Sequence, residues 1–547
     1  MGGVRRAEGC PGAAPSSSGA VSLGRGDGGP SARLVKLASV REGGSMSPRV
    51  PSHSEAGVSS SSRTERWRRL LSGYRVGSEK KPVEEPAPVL SDMDALLQDE
   101  RTDYDRDYDR IVFSAEFRCL HDKTQVFPLS TSDYTRTRLT HSIEASCVGR
   151  SLGNLAGRGL RARDVMVNPS HLGTIVAAAC LAHDIGNPPF GHSGEAAIQH
   201  WVSQRLARPG AEVDGRKSPF ETVEQWQDLE AFEGNAQGFR ILNRLQSRER
   251  RGGLRYTAAT LGAMSKYPRA SVLPGGRERD KGRVSEKKFG YFQDDEALAL
   301  EAYRAVGLVE REAGVFSRHP LAFLVEAADD ICYAVIDLED SAKLGLIPIK
   351  DACELLDAVL PKLVKGPVRP PPSHPETRLA QARARAIGEL IQASVKVFLE
   401  NVEAMEDGKW ETPLASARDD VAKPLKAIRN LTRRYGYESE RVLQIESAGF
   451  KTLGGLLDMF AMAVVTDTPN REEKKLRQLL PLDLFQRPEH VRDMAEEPAS
   501  RDEAITEAVA RLSKYQRLLC VTDYISGMTD GFAVELFQRL SGIKLPT

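Results

Sequence analysis

Surplus charge is what this 547-residue chain lacks first: 76 Lys and Arg are balanced by 76 Asp and Glu. No net field therefore draws it to nucleic acid or to an anionic membrane. Long apolar runs are missing too, since none approaches the roughly 18 consecutive residues that span a bilayer. The expectation is a chain with no membrane segment. The seven cysteines, at 10, 119, 147, 180, 332, 353 and 520, form no CxxC pair. This excludes a zinc ribbon and argues against a disulfide framework. Cys180 and Cys332 lie in apolar helical runs and read as buried free thiols, which places the protein in the reducing cytoplasm. Alternating β-branched runs are few and there is no internal repeat, so the fold class expected is all-α.

What is present divides unevenly. Residues 1–62 are rich in Gly, Ser, Arg and Pro, without hydrophobic periodicity, and are expected to be a disordered extension. They contain no apolar h-region, and Glu8, Asp27 and Glu42 argue against a transit peptide. From Trp67 onward, helical periodicity covers 141–156, 171–184, 193–206, 222–247, 320–345, 378–405, 420–435 and 501–541. Loops are expected at 208–219 and 274–288, and a proline-rich linker at 366–376. The linker would separate a catalytic region, 63–365, from a C-terminal helical region, 377–547.

Chemistry concentrates where an apolar helix ends. Thr174 to Ala182 are small or apolar, and His183-Asp184 follows at once, then Gly186, Pro188, Pro189 and Gly191. A buried charged pair at that point is costly unless it is paired or holds a cation. His141 opens another amphipathic helix. In the run 323–340, Ile331, Val335 and Leu338 share one face; Asp329, Tyr333 and Asp340 lie opposite, with Asp337 at the edge. Periodicity leaves Asp329 and Asp330 as alternative ligands, and an exposed acidic face is the competing reading of this group. Two His and two Asp make a mixed nitrogen and oxygen set. It suits Mn, Fe, Zn, Co or Ni, and also Mg where water completes the shell.

The order His, His-Asp, Asp resembles the signature of the HD-domain metal-dependent phosphohydrolases. Segments 108–114, 124–129, 138–142, 183–195, 232–237, 265–268, 326–340 and 523–530 narrow the resemblance to the dGTP triphosphohydrolase (dGTPase-like) family, over roughly 66–345 and 423–545. The resemblance implies an HD-domain helical bundle elaborated by a C-terminal helical region. It implies hydrolysis of a deoxynucleoside triphosphate, dGTP favoured, to deoxynucleoside and inorganic triphosphate, with water attacking the α-phosphorus. It makes His141, His183, Asp184 and Asp329 the ligands of a divalent metal ion, Mg or Mn foremost, and selects Asp329 over Asp330. It makes His192 and Glu195 the catalytic pair, His192 transferring a proton near the scissile bond and Glu195 orienting it. A plain helix-start role beside Ser193 is the alternative for His192.

By family position Arg138 and Lys266 face the phosphates, and Tyr267 is placed to line the same pocket. Gln125, Tyr333 and Asp337 would contact the sugar, and Asn235 the substrate or its neighbours. A surface role competes for Arg138 and Lys266, and a packed core role for Tyr333. Segment 523–530 reads as a wall or a subunit contact. The family further implies a homo-oligomer, hexamer or tetramer, and single-stranded DNA binding, for which the basic loop 277–288 is the candidate. Two other functions compete: an HD-fold phosphodiesterase or nucleotidase, and a non-catalytic nucleotide- or DNA-binding regulator. The Gln125 and Lys266-Tyr267 segments argue against the first, and the complete ligand set against the second. The base specificity is not legible in the sequence.

Overall fold

Helix Pro169–Ala182 contains no Asp, Glu, Lys or Arg, and every residue from Leu172 to Ala182 is buried. A helix apolar on all sides can only be a central element. Asn168 caps its start by accepting from the Ser170 N–H, and Pro169 at the first helical position has no donor to leave unpaired. Packed around it are helices Asp103–Phe113, Arg138–Arg161, Ala258–Met264 and Pro320–Lys343. Helix Pro375–Glu406 lies against the Arg138 and Pro320 helices and closes the same core. The computed structural model describes residues 60–79, 101–125, 136–359, 374–488 and 500–545, all within one unit, Val58–Thr547. Most of the extension 1–62 and of the linker 366–376 lies outside the described residues.

The all-α expectation holds: among the described residues the only strands form two short antiparallel hairpins, Glu212–Val213 with Arg216–Lys217 and Glu310–Glu312 with Val315–Phe316. A second apolar core gathers helices His192–Arg205, Glu440–Val465 and Lys514–Ser526 through Trp201, Phe460 and Leu519. The sequence reading did not single out the Glu440 helix. Its stretch Val442–Val465 is long and apolar enough, by length and composition, to cross a membrane. Yet Leu453, Leu456, Leu457, Phe460 and Val464 are buried in this core, and Glu446, Lys451 and Asp458 interrupt the run.

Two long helices expected from periodicity are broken. The stretch 501–541 forms Arg501–Ala510, Lys514–Ser526 and Asp530–Leu540. Ser513 accepts from the Gln516 N–H and Thr529 from the Phe532 N–H. These side-chain caps start new helices at the expense of continuing old ones. The stretch 222–247 likewise divides into Val223–Glu230 and Gly234–Asn243.

The break at Gly234 lets the loop after His183 approach. A Cβ placed on Gly186 would lie 2.0 Å from the Gly234 carbonyl oxygen and 2.1 Å from the Gly238 nitrogen. Backbone, not a flexible side chain, is in the way. We expect Gly186→Ala to destabilise the fold by about 1–3 kcal/mol through overpacking, read as a lower denaturation midpoint.

The two cores are joined by buried charge. Arg240 donates to Asp523 at 2.8 Å, to Asp294 at 2.8 Å and to Asp295 at 3.1 Å; Arg487 reaches Asp294 at 2.6 Å and Arg244 reaches Asp295 at 2.8 Å. Burial works against the Arg240 charge, but the three carboxylates outweigh it and raise its pKa. Removing that guanidinium leaves buried carboxylates short of a partner. Arg240→Met is expected to cost about 3–5 kcal/mol, measured by chemical denaturation.

Candidate active site

His141 stands in the first turn of the Arg138 helix, which Thr137 and Thr140 start with a capping box, and it is buried. His183 follows the last residue of the Pro169 helix, where its Nδ1 bonds the Cys180 carbonyl at 2.6 Å. That contact fixes the ring and turns Nε2 toward Asp329, as an outer partner of a metal-bound imidazole does. Asp329 Oδ1 lies 3.1 Å from His141 Nε2 and 3.6 Å from His183 Nε2. One donor atom from each of these three residues falls within 4.8 Å of the others. Burial alone would lower the His183 pKa, but Asp184 and Asp329 outweigh it and raise it to about 9. The site thus stabilises positive charge, and its donor set fits a divalent cation.

Asp184 stands beside this trio, not within it. Its Oδ1 is 3.7 Å from His183 Nε2, while Oδ2 accepts from Arg138 at 3.0 Å and Asn187 donates to Oδ1. Burial pushes its carboxyl up, but Arg138 and the two histidines hold it down near 2. Asp330 points elsewhere and pairs with Arg429 at 2.8 Å. The exposed acidic face weighed from periodicity is not found: Asp337, Glu339 and Asp340 are buried. Arg136 pairs with both Glu339 and Asp340, a compensation that periodicity does not reveal.

A cavity of about 500 Å³ opens over His183 and Asp329. His192 begins helix His192–Arg205 after Phe190 and Gly191, which adopt φ values of 62° and 56°. A left-handed phenylalanine is rare and signals constraint. His192 Nδ1 lies 2.9 Å from Glu195 Oε2, the histidine side chain being 83% exposed and the glutamate 7%. Glu195 Oε1 accepts the Gly234 N–H at 2.8 Å. Burial raises the Glu195 pKa, but His192, Lys288 and the Gly234 N–H together lower it below the ordinary value. The result is a buried carboxylate holding an exposed imidazole from behind.

The cavity wall brings most of the other candidates together. Gln125, Arg138, Asn235, Lys266, Tyr267 and Tyr333 all line it. Gln125 Oε1 and Arg138 Nε are buried without a hydrogen-bond partner among the described residues. Asn235 donates to Glu233 at 2.7 Å, and Lys266 sits 3.2 Å from Glu326, above the Tyr267 ring. Asp337 is the exception among these candidates. It does not line the cavity; Tyr437, stacked on Tyr333 with ring centroids 5.9 Å apart, donates its hydroxyl to the Asp337 carboxylate. Burial pushes the Asp337 carboxyl up to about 7.

Sequence reasoning missed Tyr437, Lys288 and Glu233 as lining residues. Lys288 lies 2.8 Å from Glu233 and 3.7 Å from Glu195. Its signal was present, but as part of the basic loop assigned to DNA. In that loop Arg277 and Arg283 are paired with Glu286, and Arg277 also with Glu312. Much of the apparent basic surface is therefore neutralised. Tyr437 sits in a π-helical turn, Arg433–Tyr437, just past a helix expected to stop at 435. Such turns gather at functional sites.

Comparison with known proteins adds a family match and three relatives. Residues 471–539 match the family described as Phosphohydrolase-associated domain. A deoxyguanosinetriphosphate triphosphohydrolase-like protein from Synechocystis is 39% identical over 490 residues, covering 88% of this chain and 100% of that protein. Its counterpart from Pseudomonas aeruginosa is 35% identical over 491 residues, with the same coverage. The deoxyguanosinetriphosphate triphosphohydrolase of Enterobacter sp. is 29% identical, over 81% of this chain and 94% of that protein.

Proposed function

The chain belongs to the deoxyguanosinetriphosphate triphosphohydrolase-like family, and from that premise we propose that it is a divalent-metal-dependent hydrolase. Its substrates are deoxynucleoside triphosphates, dGTP favoured, and its products are the deoxynucleoside and intact inorganic triphosphate. The observation that carries this reading is the His192–Glu195 pair, 2.9 Å apart, lining the same cavity as His183 and Asp329. One face offers nitrogen and oxygen donors to a cation; the other offers an exposed imidazole backed by a buried carboxylate.

His141, His183 and Asp329 would hold the metal, with Asp184 at its edge. Held there, a divalent ion would supply charge neutralisation at the α-phosphate and a lower pKa for water. Lys266, Arg138 and Lys288 place positive charge around a cavity that must accept about four negative charges, and positioning of that kind dominates phosphoryl chemistry. His192 delivers a proton to the sugar oxygen that leaves, and Glu195 keeps its Nδ1 bonded so that Nε2 faces the cavity. Gln125, whose carbonyl oxygen has no hydrogen-bond partner among the described residues, accepts a sugar hydroxyl. Tyr333 and Tyr437 form a flat wall beside the deoxyribose, and an added 2′-hydroxyl meets this packed surface.

Homo-oligomer assembly is part of the same proposal and is read by mass measurement in solution. Substrate choice is tested with each of the four deoxynucleoside triphosphates, singly and mixed, under Mg and then Mn. Hydrolysis of dGTP in preference to the others supports the reading; indifference to all four and to both metals overturns it.

A further inference from the structure

Asp530 opens helix Asp530–Leu540 and is 1% exposed, and it is far in sequence from the metal trio and from the His192–Glu195 pair. Its carboxylate ties two segments of the cavity wall together. Oδ2 accepts from the Thr124 N–H at 3.0 Å and from the Thr124 hydroxyl at 2.6 Å. Oδ1 accepts from the Phe190 N–H at 2.9 Å. The first contact holds the segment that carries Gln125, itself bridged at Thr124 to Thr137 ahead of the Arg138 helix. The second holds the elbow that delivers His192.

That elbow needs holding. Phe190 has a φ of 62° and Gly191 one of 56°, and the phenylalanine occupies a region that bulky side chains avoid. Two grips keep it there, and both come from the C-terminal part of the chain. Asp530 takes the Phe190 N–H, and the Phe190 ring seats on Gly449, where an added Cβ would come within 2.5 Å of it. Lys123 reinforces the arrangement by donating to the Asn187 carbonyl at 2.7 Å and the Ser526 carbonyl at 2.6 Å. The helix N-terminus favours the Asp530 charge.

We propose that Asp530 is a positioning residue for the His192–Glu195 pair, setting the direction of the His192 ring through the strained Phe190–Gly191 elbow. The C-terminal region thereby takes part in the reaction without touching the substrate. The proposal rests on His192 being the proton donor, as argued above. An amide at this position keeps the shape but replaces one acceptor by a donor, facing N–H groups that can only donate.

The test is Asp530→Asn, with turnover of dGTP, metal content and deuterium uptake measured on the whole protein. Because a small misplacement of a reacting group costs on the order of a hundredfold, kcat should fall by roughly that factor. KM should stay within about twofold, the pattern of an interaction made only in the transition state. Metal content should match the wild type, and deuterium uptake should rise in peptides covering 186–196 while the Pro320 helix stays protected. A merely structural role would lower kcat, metal content and protection together, and that result overturns the proposal, as does an unchanged kcat. Should Asp530→Asn fail to fold, Gly449→Ala presses on the same elbow from the ring side and is expected to give the same split. If the wild-type protein releases no triphosphate, the functional reading fails; the uptake at 186–196 then decides separately whether Asp530 holds the elbow.

Discussion

His183→Ala should lose bound divalent metal and triphosphate release together. The imidazole is fixed by the Cys180 carbonyl on one nitrogen and presents the other to Asp329 and His141. No described neighbour can replace that nitrogen: the acidic group beside the trio, Asp184, is already bonded to Arg138 and Asn187. A bound cation supplies several kcal/mol of charge stabilisation in the transition state, so its loss corresponds to on the order of a thousandfold in rate or more. Metal analysis of the purified variant should read background, and added Mg or Mn should not restore activity at concentrations that saturate the wild type. Asp184→Ala is expected to behave in the same direction, because it removes the carboxylate at the edge of the trio, 3.7 Å from His183 Nε2. A variant of either kind that keeps both metal and turnover refutes the ligand assignment.

His192→Ala should separate what His183→Ala removes together. The ring lies outside the metal trio and is held by Glu195, so the metal content is expected to equal that of the wild type. Positioned proton transfer contributes about 10²–10⁴-fold, and kcat should fall by that order with little change in KM. Glu195→Gln should give a smaller loss. The amide can still approach Nδ1, but it no longer favours positive charge on the ring as the proton moves. Pre-steady-state rates would show the chemical step itself slowed in His192→Ala, with substrate binding unchanged. Loss of metal from this variant would mean that His192 is a ligand, and the division of labour drawn here would be wrong.

Much of this site was legible because its residues are close in sequence. His183, Asp184, His192 and Glu195 fall within one run, and the step from a wholly apolar helix to a charged pair marks where that helix must end. Asp329 and Asp330 were alternatives in the periodicity; the structure turns the first to the histidines and the second to Arg429. The all-α class followed from the near absence of alternating runs. What stayed hidden depends on contacts between distant segments. Tyr437 reaches Asp337 across 100 residues and stands between it and the cavity. Arg136 neutralises Glu339 and Asp340, and Glu286 neutralises two arginines of a loop that looked basic. Pairing of this kind leaves no mark on local periodicity. The broken helices at 511–513 and 527–529 were missed for another reason: apolar spacing continues across caps whose side chains stop the backbone.

The central claim is that the bond broken lies between the α-phosphorus and the sugar oxygen, with the triphosphate leaving whole. It is tested most directly by turning over dGTP in ¹⁸O-labelled water and identifying the products. The account predicts deoxyguanosine and inorganic triphosphate in equal amounts, with the label in the triphosphate. Formation of dGMP with pyrophosphate, or release of orthophosphate, would contradict it.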